Sequence, residues 1–195
     1  MRVTMTTYSS GATGRSPAGL RLIKRMFLLV WIGLVLCASI HAQTANEYEV
    51  KAAFILNFAR FVEWPGDAFG DGGSLVVGIV GDDPFRGALD QLSGNTVGGR
   101  RLVIKRLRST DNLRACQILF ISSSERNRLS KIMEGVRGAS VLTIGEAPQF
   151  NSVGGVIRFI VQDNKVRFEI NTTAAVQARL RISSKLQALS KGGRN

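Results

Sequence analysis

Hydrophobic and polar positions alternate along the chain in blocks that predict repeated strand and helix units. Residues 47–63 are apolar around most of a helical circumference, and Pro65 ends the predicted helix. The uniformly apolar run Leu75–Val80 is typical of a strand buried on both faces. Strands and helices in this order indicate a largely parallel sheet with helices on its faces. Further strands are predicted at 102–107, 118–121 and 141–144.

The segments between these strands contain turn and capping signals. A short helix is predicted over 84–92, because proline is favoured at the first helical position, and a loop over 94–99. Ser122 and Glu125 have the spacing of a capping box and predict the start of another helix. The last predicted element is an amphipathic helix over 174–190.

Two β-segments near the C-terminus predict an antiparallel hairpin around Asp163 and Asn164, which both tolerate the left-handed conformation of a two-residue turn. Positions that sum to 327 then face each other, so Arg158 lies opposite Glu169 as an opposite-charge pair. The fold predicted is therefore α/β: a mostly parallel sheet of about six strands flanked by helices, with a C-terminal antiparallel β-hairpin and a terminal helix.

Residues 1–42 have the three parts of a secretory signal. Basic residues precede an apolar stretch at 26–40, and Ala42 is a small residue at the expected cleavage position. The stretch is shorter than the roughly 20 residues that cross a bilayer, although a retained membrane anchor stays open as an alternative. We predict an N-terminal extension with a signal peptide at 1–42, cleaved after Ala42, and a single exported domain at 43–195.

Composition excludes several classes of catalytic site. The only histidine, His41, and one of the two cysteines, Cys37, lie inside the export segment. The exported domain then has no histidine and one cysteine, Cys116, which excludes serine–histidine and cysteine–histidine nucleophiles, histidine-ligated zinc and CxxC redox centres. We expect no enzyme activity, no cofactor and no metal. Cys116 is expected to be a small core residue or, alternatively, to pair between subunits.

Charge permits anionic partners without requiring them. The full chain has 26 Lys and Arg residues against 14 Asp and Glu, a net charge of +12. Five of the basic residues and none of the acids precede the cleavage position, so the domain has 21 against 14, or +7. The predicted C-terminal helix is basic but has no aromatic residue for base stacking, so no nucleic-acid partner is expected.

Asp82 and Asp83 are the candidate ligand residues. They follow a buried strand, where doubly wound folds bind ligands, and paired carboxylates can hold Mg²⁺. The alternative interpretation, which we favour, is that Asp83 caps the helix opened by Pro84.

Apolar residues supply the candidate contact surfaces. Phe150 lies in a Pro/Gly loop, where a large apolar side chain either fills the local core or waits for a partner. Together with Ile170 and Leu186 it forms the predicted docking surface. The helix over 47–63 must be buried by its own domain, by a second copy or by a partner. Its predicted core or dimer contacts are Phe54, Phe58, Phe61 and Trp64.

Several segments, taken together and in order, resemble the YfiR-like periplasmic proteins. The resemblance spans essentially residues 46–190, although any one segment alone would be weak. The segments are 51–65 (KAAFILNFARFVEWP), 116–121 (CQILFI), 154–161 (GGVIRFIV), 166–171 (VRFEIN) and 180–186 (LRISSKL).

The resemblance implies a periplasmic α/β domain that can dimerise. In the best-known system such a protein restrains an inner-membrane diguanylate cyclase, an outer-membrane lipoprotein sequesters the restrainer, and cyclic di-GMP and biofilm output then rise. That family member uses disulfides, whereas Cys116 alone cannot form an intramolecular one. We therefore expect a non-enzymatic regulator that acts by protein contact on a diguanylate cyclase or related sensor. The alternative is a periplasmic small-molecule-binding module with its site near Asp82 and Asp83.

Overall fold

The structure is a computed structural model that describes residues 47–70 and 73–190. Helix α1 covers residues 47–61 and is followed by a series of strands and short helices. Along the chain these are strands β1 (Val62–Glu63), β2 (Leu75–Val80), β3 (Thr96–Val97), β4 (Arg100–Leu107) and β5 (Ile118–Ile121), helix α2 (Leu129–Gly135), strands β6 (Leu142–Gly145), β7 (Ile157–Gln162) and β8 (Lys165–Ile170), helix α3 (Thr172–Gln177), strand β9 (Arg181–Ile182) and helix α4 (Ser184–Leu189).

The main sheet confirms the predicted α/β class and is larger than predicted. Its strands lie in the order β3-β4-β2-β5-β6-β7-β8. The five central strands, β4 to β7 in that order, run parallel, while β3 and β8 are antiparallel to their neighbours. The expectation of about six strands is therefore corrected to seven, with a second, two-stranded antiparallel sheet formed by β1 and β9.

The C-terminal hairpin has the register that the sequence predicts. Arg158 pairs with Glu169 across β7 and β8, and the other pairs in the ladder follow the same sum of 327. Asp163 and Asn164 form the turn with φ angles of +51° and +56°, as a two-residue hairpin requires. Side-chain charge agrees with this register, since Arg158 Nη2 lies 2.7 Å from Glu169 Oε2.

The predicted C-terminal helix over 174–190 is wrong as a single element. Helix α3 ends at Gln177, and Arg179 has a left-handed φ of +57°, which breaks the helical path. Strand β9 follows, and Ser183 then caps helix α4 by accepting a hydrogen bond from the Leu186 main-chain N–H. Ser183 and Ser184, which the predicted helix contained, therefore mark the start of a new helix.

Strand β9 also shortens the first helix. It pairs with β1, so that Val62 faces Ile182 and Glu63 faces Arg181. Residues 62–63, which the hydrophobic pattern assigned to the helix, are therefore extended. The ladder continues one step further, because the Ser183 N–H donates to the carbonyl of Phe61 at 3.0 Å.

Two predicted connections differ from the structure because of left-handed residues. The helix expected over 84–92 is a set of turns ending in a short 3-10 helix, Asp90–Leu92. Arg86 and Gly87 have φ angles of +49° and +91°, which a continuous helix cannot include. The loop expected over 94–99 contains strand β3, which is joined to β4 by a turn at two positive-φ glycines.

Ser122 caps the next helix, as its position predicted. Its Oγ accepts a hydrogen bond from the Ser124 main-chain N–H, not from that of Glu125 as a capping box would have it. A 3-10 helix, Ser123–Arg128, follows and leads into α2.

Helices cover both faces of the parallel strands. Alternation in β5 directs Ile118 and Phe120 to one core cluster and Leu119 and Ile121 to the other. Helix α1 packs in the first cluster, which we call the α1 face, and α2 in the second, which we call the α2 face. The strands β2, β5 and β6 are buried throughout or almost so, as the uniformly apolar runs predicted.

Candidate functional site

The carboxyl ends of the parallel strands bring Asp82 beside the start of the 3-10 helix. Gly81 and Asp82 follow β2, and the Asp82 N–H donates to Ser124 Oγ at 2.9 Å. Gly81 has a φ of +87°, and a Cβ there would lie 2.4 Å from the same hydroxyl oxygen. This corner therefore requires glycine, and it is filled by the protein's own side chains rather than left open.

Asp83 is used as a cap and as an ion-pair partner. Its Oδ1 accepts from the Phe85 N–H at 2.8 Å, while its Oδ2 accepts from Arg106 Nε and Nη2 at 2.9 and 2.7 Å. Arg106 also donates to both carboxylate oxygens of Asp90, and these hydrogen bonds lower the pKa of Asp90. The helix that Asp83 was expected to cap is replaced by turns, so its carboxylate stabilises the first of these turns and is tied to β4 through Arg106.

The Asp82 and Asp83 side chains lie in different environments. The Asp82 side chain is exposed, whereas the Asp83 carboxylate is held by Arg106 on β4. Within residues 47–70 and 73–190 there is no group of three or more His, Cys, Asp or Glu side chains that could hold a metal ion.

A buried polar network that sequence reasoning missed lies between α1 and the end of β6. Lys51 is 3% exposed, and its Nζ donates to carboxylate oxygens of Glu47 and Glu146. The Tyr48 hydroxyl donates to Glu146 Oε2 at 3.1 Å, and Lys51 Nζ lies 4.2 Å from the centre of the Tyr48 ring. Burial, and then the charge of Glu146, raise the pKa of Tyr48.

This network, the Lys51 network, neutralises an otherwise costly buried ammonium group. The spacing of Glu47 and Lys51, four residues apart on a helix, was the one signal of it in the sequence. Glu146 is 95 positions from Lys51, so its contribution depends on the fold.

Phe150 fills the local core, which is one of its two predicted roles. It is 1% exposed and packs in the α2-face cluster. A Cβ at Gly145 would lie 2.3 Å from its ring, and a Cβ at Gly155 would lie 2.2 Å from it. The prediction that Phe150 is an exposed docking residue is therefore wrong. Gly145 and Gly155 leave the space that its ring occupies.

The other two predicted docking residues differ in exposure. Leu186 is buried with the α1-face cluster, so it too is corrected as an exposed contact, whereas Ile170 is half-buried on β8. The most exposed large apolar side chains described are Val176 on α3, at 74%, and Leu189 on α4, at 65%. Both lie in the segment that follows β8, close in sequence to the predicted residues.

The aromatic residues predicted as core or dimer contacts differ in burial, and Phe58 is the one that lies fully within the core. Phe58 is fully buried and stacks on Phe54 at a centroid distance of 6.0 Å. Phe61 is partly exposed, with Lys185 Nζ 5.4 Å from its ring centre. Beyond the helix, Trp64 Nε1 donates to the main-chain oxygen of Gln117 at 3.1 Å. Phe58 also contacts Phe159 on β7 and Phe168 on β8, so it packs α1 against its own sheet.

Cys116 lies beneath Gly78 at the start of β5. Its thiol is buried and free, and burial raises its pKa to about 11. A Cβ at Gly78 would lie 2.8 Å from its Sγ. This placement agrees with the small core residue predicted, because thiol–disulfide exchange needs an accessible thiolate.

A groove of about 750 Å³ opens between α2 and α3. It lies beside the residues that precede β6 and β7, whereas Asp82 follows a strand of the same parallel sheet. Its volume is in the range of small-molecule sites. Apolar side chains, among them Met133, Val136 and Val153, form much of its wall, with Gln177 and Ser152 as polar members.

These features define a class before any comparison: a mixed α/β domain whose two most exposed large apolar residues among those described, Val176 and Leu189, follow the last strand of the main sheet. The YfiR/HmsC-like family model matches residues 48–191, so the chain belongs to the YfiR/HmsC-like family. That family is regulatory and non-catalytic, its proteins are periplasmic, and it is associated with cyclic di-GMP signalling.

No curated protein matches the sequence. The predicted signal peptide at 1–42 lies outside the described residues. In the part of the chain that the structure describes, no helix combines the length and the apolar character needed to cross a membrane.

Proposed function

We propose that this protein is exported to the periplasm and restrains a membrane-bound signalling partner, a diguanylate cyclase, so that cyclic di-GMP output falls. The observation that carries the proposal is the family match over residues 48–191, which takes in nearly every described element. The signal-like sequence of residues 1–42, with Ala42 at the cleavage position, supports export.

Restraint by contact needs little differential binding energy. A regulator that binds the inactive conformation of a sensor tenfold more tightly than the active one shifts the equilibrium by about 1.4 kcal/mol. No catalytic group is needed for this. An outer-membrane lipoprotein that binds the regulator would relieve the restraint by mass action.

The proposed contact surface is the exposed apolar part of the segment after β7. It consists of the exposed Val176 on α3 and Leu189 on α4, together with the half-buried Ile170 on β8. A contiguous exposed apolar patch is typical of a surface that binds another protein, and the proposal is that these side chains form one. The same segment of the chain contains the basic residues Arg181 and Lys185, which suits an acidic partner surface.

The test is whole-cell cyclic di-GMP in the native host. We expect a rise when the gene is deleted, and we expect the full chain to reverse it. A chain that starts at residue 43 behind a new methionine stays inside the cell and should not reverse it. Unchanged cyclic di-GMP on deletion would contradict the proposed function.

Two matched variants test the contact surface in the same strains. Val176→Asp should raise cyclic di-GMP toward the level of the deletion strain, because it places a charge in the proposed contact. Val161→Asp is the control, since Val161 is also an exposed valine but lies at the far end of β7. If both variants lower cyclic di-GMP equally well, Val176 is not in the contact and the partner binds another surface.

A small-molecule-binding module is the second candidate, and the groove between α2 and α3 favours it. Thermal shifts of the exported protein with amino acids and nucleotides test it. A shift that Gln177→Trp removes and Asp82→Ala preserves would assign the ligand to the groove. A shift that Asp82→Ala removes and Gln177→Trp preserves would assign the ligand to the strand ends near Asp82. If no compound shifts the unfolding temperature, the small-molecule-binding function is contradicted.

A further inference from the structure

Strand β8 is an outer edge of the main sheet, and one side of its main chain is unpaired in the described part of the chain. The Asn171 N–H donates to the Val156 carbonyl at 2.8 Å, which extends the β7–β8 register by one pair. Hydrogen-bonded pairs recur at every second residue of an antiparallel ladder. The residues of β8 bonded to β7 are therefore the odd-numbered ones, and the main-chain groups of Val166, Phe168 and Ile170 point away from the sheet.

Such an edge is a template for another strand, and proteins usually obstruct it. Proline and a β-bulge are both absent from β8, whose six residues pair with β7 without interruption. Its two basic side chains, Lys165 and Arg167, are exposed on the face opposite α1. Glu169 is on that same face, because side chains two apart share a face.

The charges on this edge are complementary to the same edge of a second molecule. In an antiparallel pairing of two β8 strands centred on Phe168, residues that sum to 336 face each other. Arg167 then lies opposite Glu169 twice, and Val166 lies opposite Ile170 twice. A pairing shifted by one step of two residues, centred on Arg167, would place two arginines against each other.

Glu169 has a free oxygen for this contact. Its Oε2 accepts from Arg158 at 2.7 and 3.0 Å, whereas its Oε1 has no hydrogen-bond partner among the described residues. Arg167 forms no ion pair within the same residues. Both groups lie at a non-hydrogen-bonded position of the proposed pair, where side chains from the two strands are closest.

The opposite edge of the sheet lacks this complementarity. Strand β4 is paired with β3 over its first residues only. Its basic residues are Arg100, Arg101, Lys105 and Arg106, and it contains no acidic residue. Two copies of β4 could not pair without bringing positive charges together or leaving them unmatched. Helix α1, the earlier candidate for a dimer contact, is held by its own sheet through Phe58.

We propose that two copies of this protein associate through β8, antiparallel and centred on Phe168, to form one continuous sheet. The three outward residues of each strand supply about six main-chain hydrogen bonds. The pairs of Arg167 with Glu169 fix the register. Ile170 becomes an interface residue, so dimer formation and binding of a signalling partner share the end of β8.

The experiment measures the mass of the exported full-length gene product in solution by analytical ultracentrifugation from 1 to 100 μM. We expect a dimer. Arg167→Glu should weaken association at least tenfold, because each new glutamate faces Glu169 of the other copy. Glu169→Arg should do the same, because two arginines then face each other.

The two variants restore each other when mixed. In a mixed dimer, the glutamate at 167 of one chain faces the arginine at 169 of the other, and the second pair is likewise opposite in charge. We expect a mixed dimer of near wild-type affinity, detected by tagging one chain. The matched control is Arg101→Glu on β4, which should leave the wild-type dimer unchanged.

Three results would overturn the proposal. They are a monomeric wild-type protein at 100 μM, a dimer that both charge variants leave intact, and a failure of the mixture to associate. Val166→Pro supplies an independent check, since it removes an outward N–H that β7 does not use. Should that variant fail to fold, the charge-swap mixture still decides the question.

Discussion

The two faces of the sheet are packed according to different rules. On the α1 face, four phenylalanine rings contact one another with centroid distances from 5.0 to 6.2 Å. On the α2 face, a single ring, Phe150, is enclosed by two glycines within an otherwise aliphatic cluster. The α1 face is filled by large side chains that pack against one another, whereas the α2 face needs the missing side chains of two glycines to make room for one ring.

Polar groups extend this difference. The α1 side includes the Lys51 network, a buried charge that is stable only while its carboxylate partners remain. The α2 side has Cys116, a neutral thiol that needs no partner. We therefore expect the α1 side to respond most to deletions of side-chain groups, and the α2 side to additions.

The largest effect is expected for Phe58→Ala on the α1 face. Removing a fully buried ring that contacts three other phenylalanines should lower the free energy of unfolding by about 4 kcal/mol. Denaturant unfolding followed by circular dichroism measures it. Val161→Ala, at an exposed site, is the control and should change stability by less than about 0.5 kcal/mol. A loss below about 1.5 kcal/mol for Phe58→Ala would contradict the idea that the ring cluster makes a large contribution to stability.

Next is Lys51→Met, which leaves the carboxylate of Glu146 without its buried counter-ion. We expect a loss of about 3 kcal/mol, because breaking a buried pair costs more than removing both partners. Glu146→Gln in the same chain should recover part of the loss, as measured in the same unfolding experiment. If the double variant is as unstable as the sum of the two single variants, the Lys51 network is not a coupled unit.

An added methyl group tests the α2 face. Gly145→Ala would place a Cβ 2.3 Å from the Phe150 ring and should cost about 2 kcal/mol through overpacking. Gly135→Ala is the matched control, because nothing lies within 4 Å of a Cβ at that position. Combining Gly145→Ala with Phe150→Leu should cost less than the two changes added together. Additive costs would mean that the glycine and the ring do not share one space.

The smallest effect at neutral pH is expected from Cys116, whose influence on stability appears only at alkaline pH. The pKa of its thiol is about 11 in the folded protein against 9.0 for an ordinary thiol. The folded state therefore holds the thiol proton to higher pH than the unfolded state does. The free energy of unfolding is unaffected below about pH 9 and decreases as the pH rises toward 11. Thermal unfolding from pH 8 to 11 should show a steeper decline for wild type than for Cys116→Ala. Parallel curves would contradict the buried placement of the thiol.

Local pairing was predictable from sequence because the residues that determine it are close together in the chain. The β7–β8 hairpin is the clearest case, since the turn and all six facing pairs are within 14 residues. The buried parallel strands were predictable as well, because uniformly apolar runs such as Ile118–Ile121 have few other uses.

Other features depend on contacts that no local pattern contains. The C-terminal helix is divided because Arg179 adopts a left-handed conformation. The cost of that conformation is offset by the pairing of β9 with β1. The role of Phe150 depends on Gly145 and Gly155, which have no side chain to form a pattern. The Lys51 network joins residues 95 positions apart, so its sequence signal was limited to one helical turn.

The pairing of β1 with β9 has a consequence for the order in which the domain can fold as the chain becomes available from its N-terminus. It joins residues about 120 positions apart, a contact of very high sequence separation. If the protein is exported as proposed, helix α1 would emerge first, and the strand that continues it would have no partner until Ile182 had also crossed the membrane. The complete native state would then form only after almost the whole chain had been released.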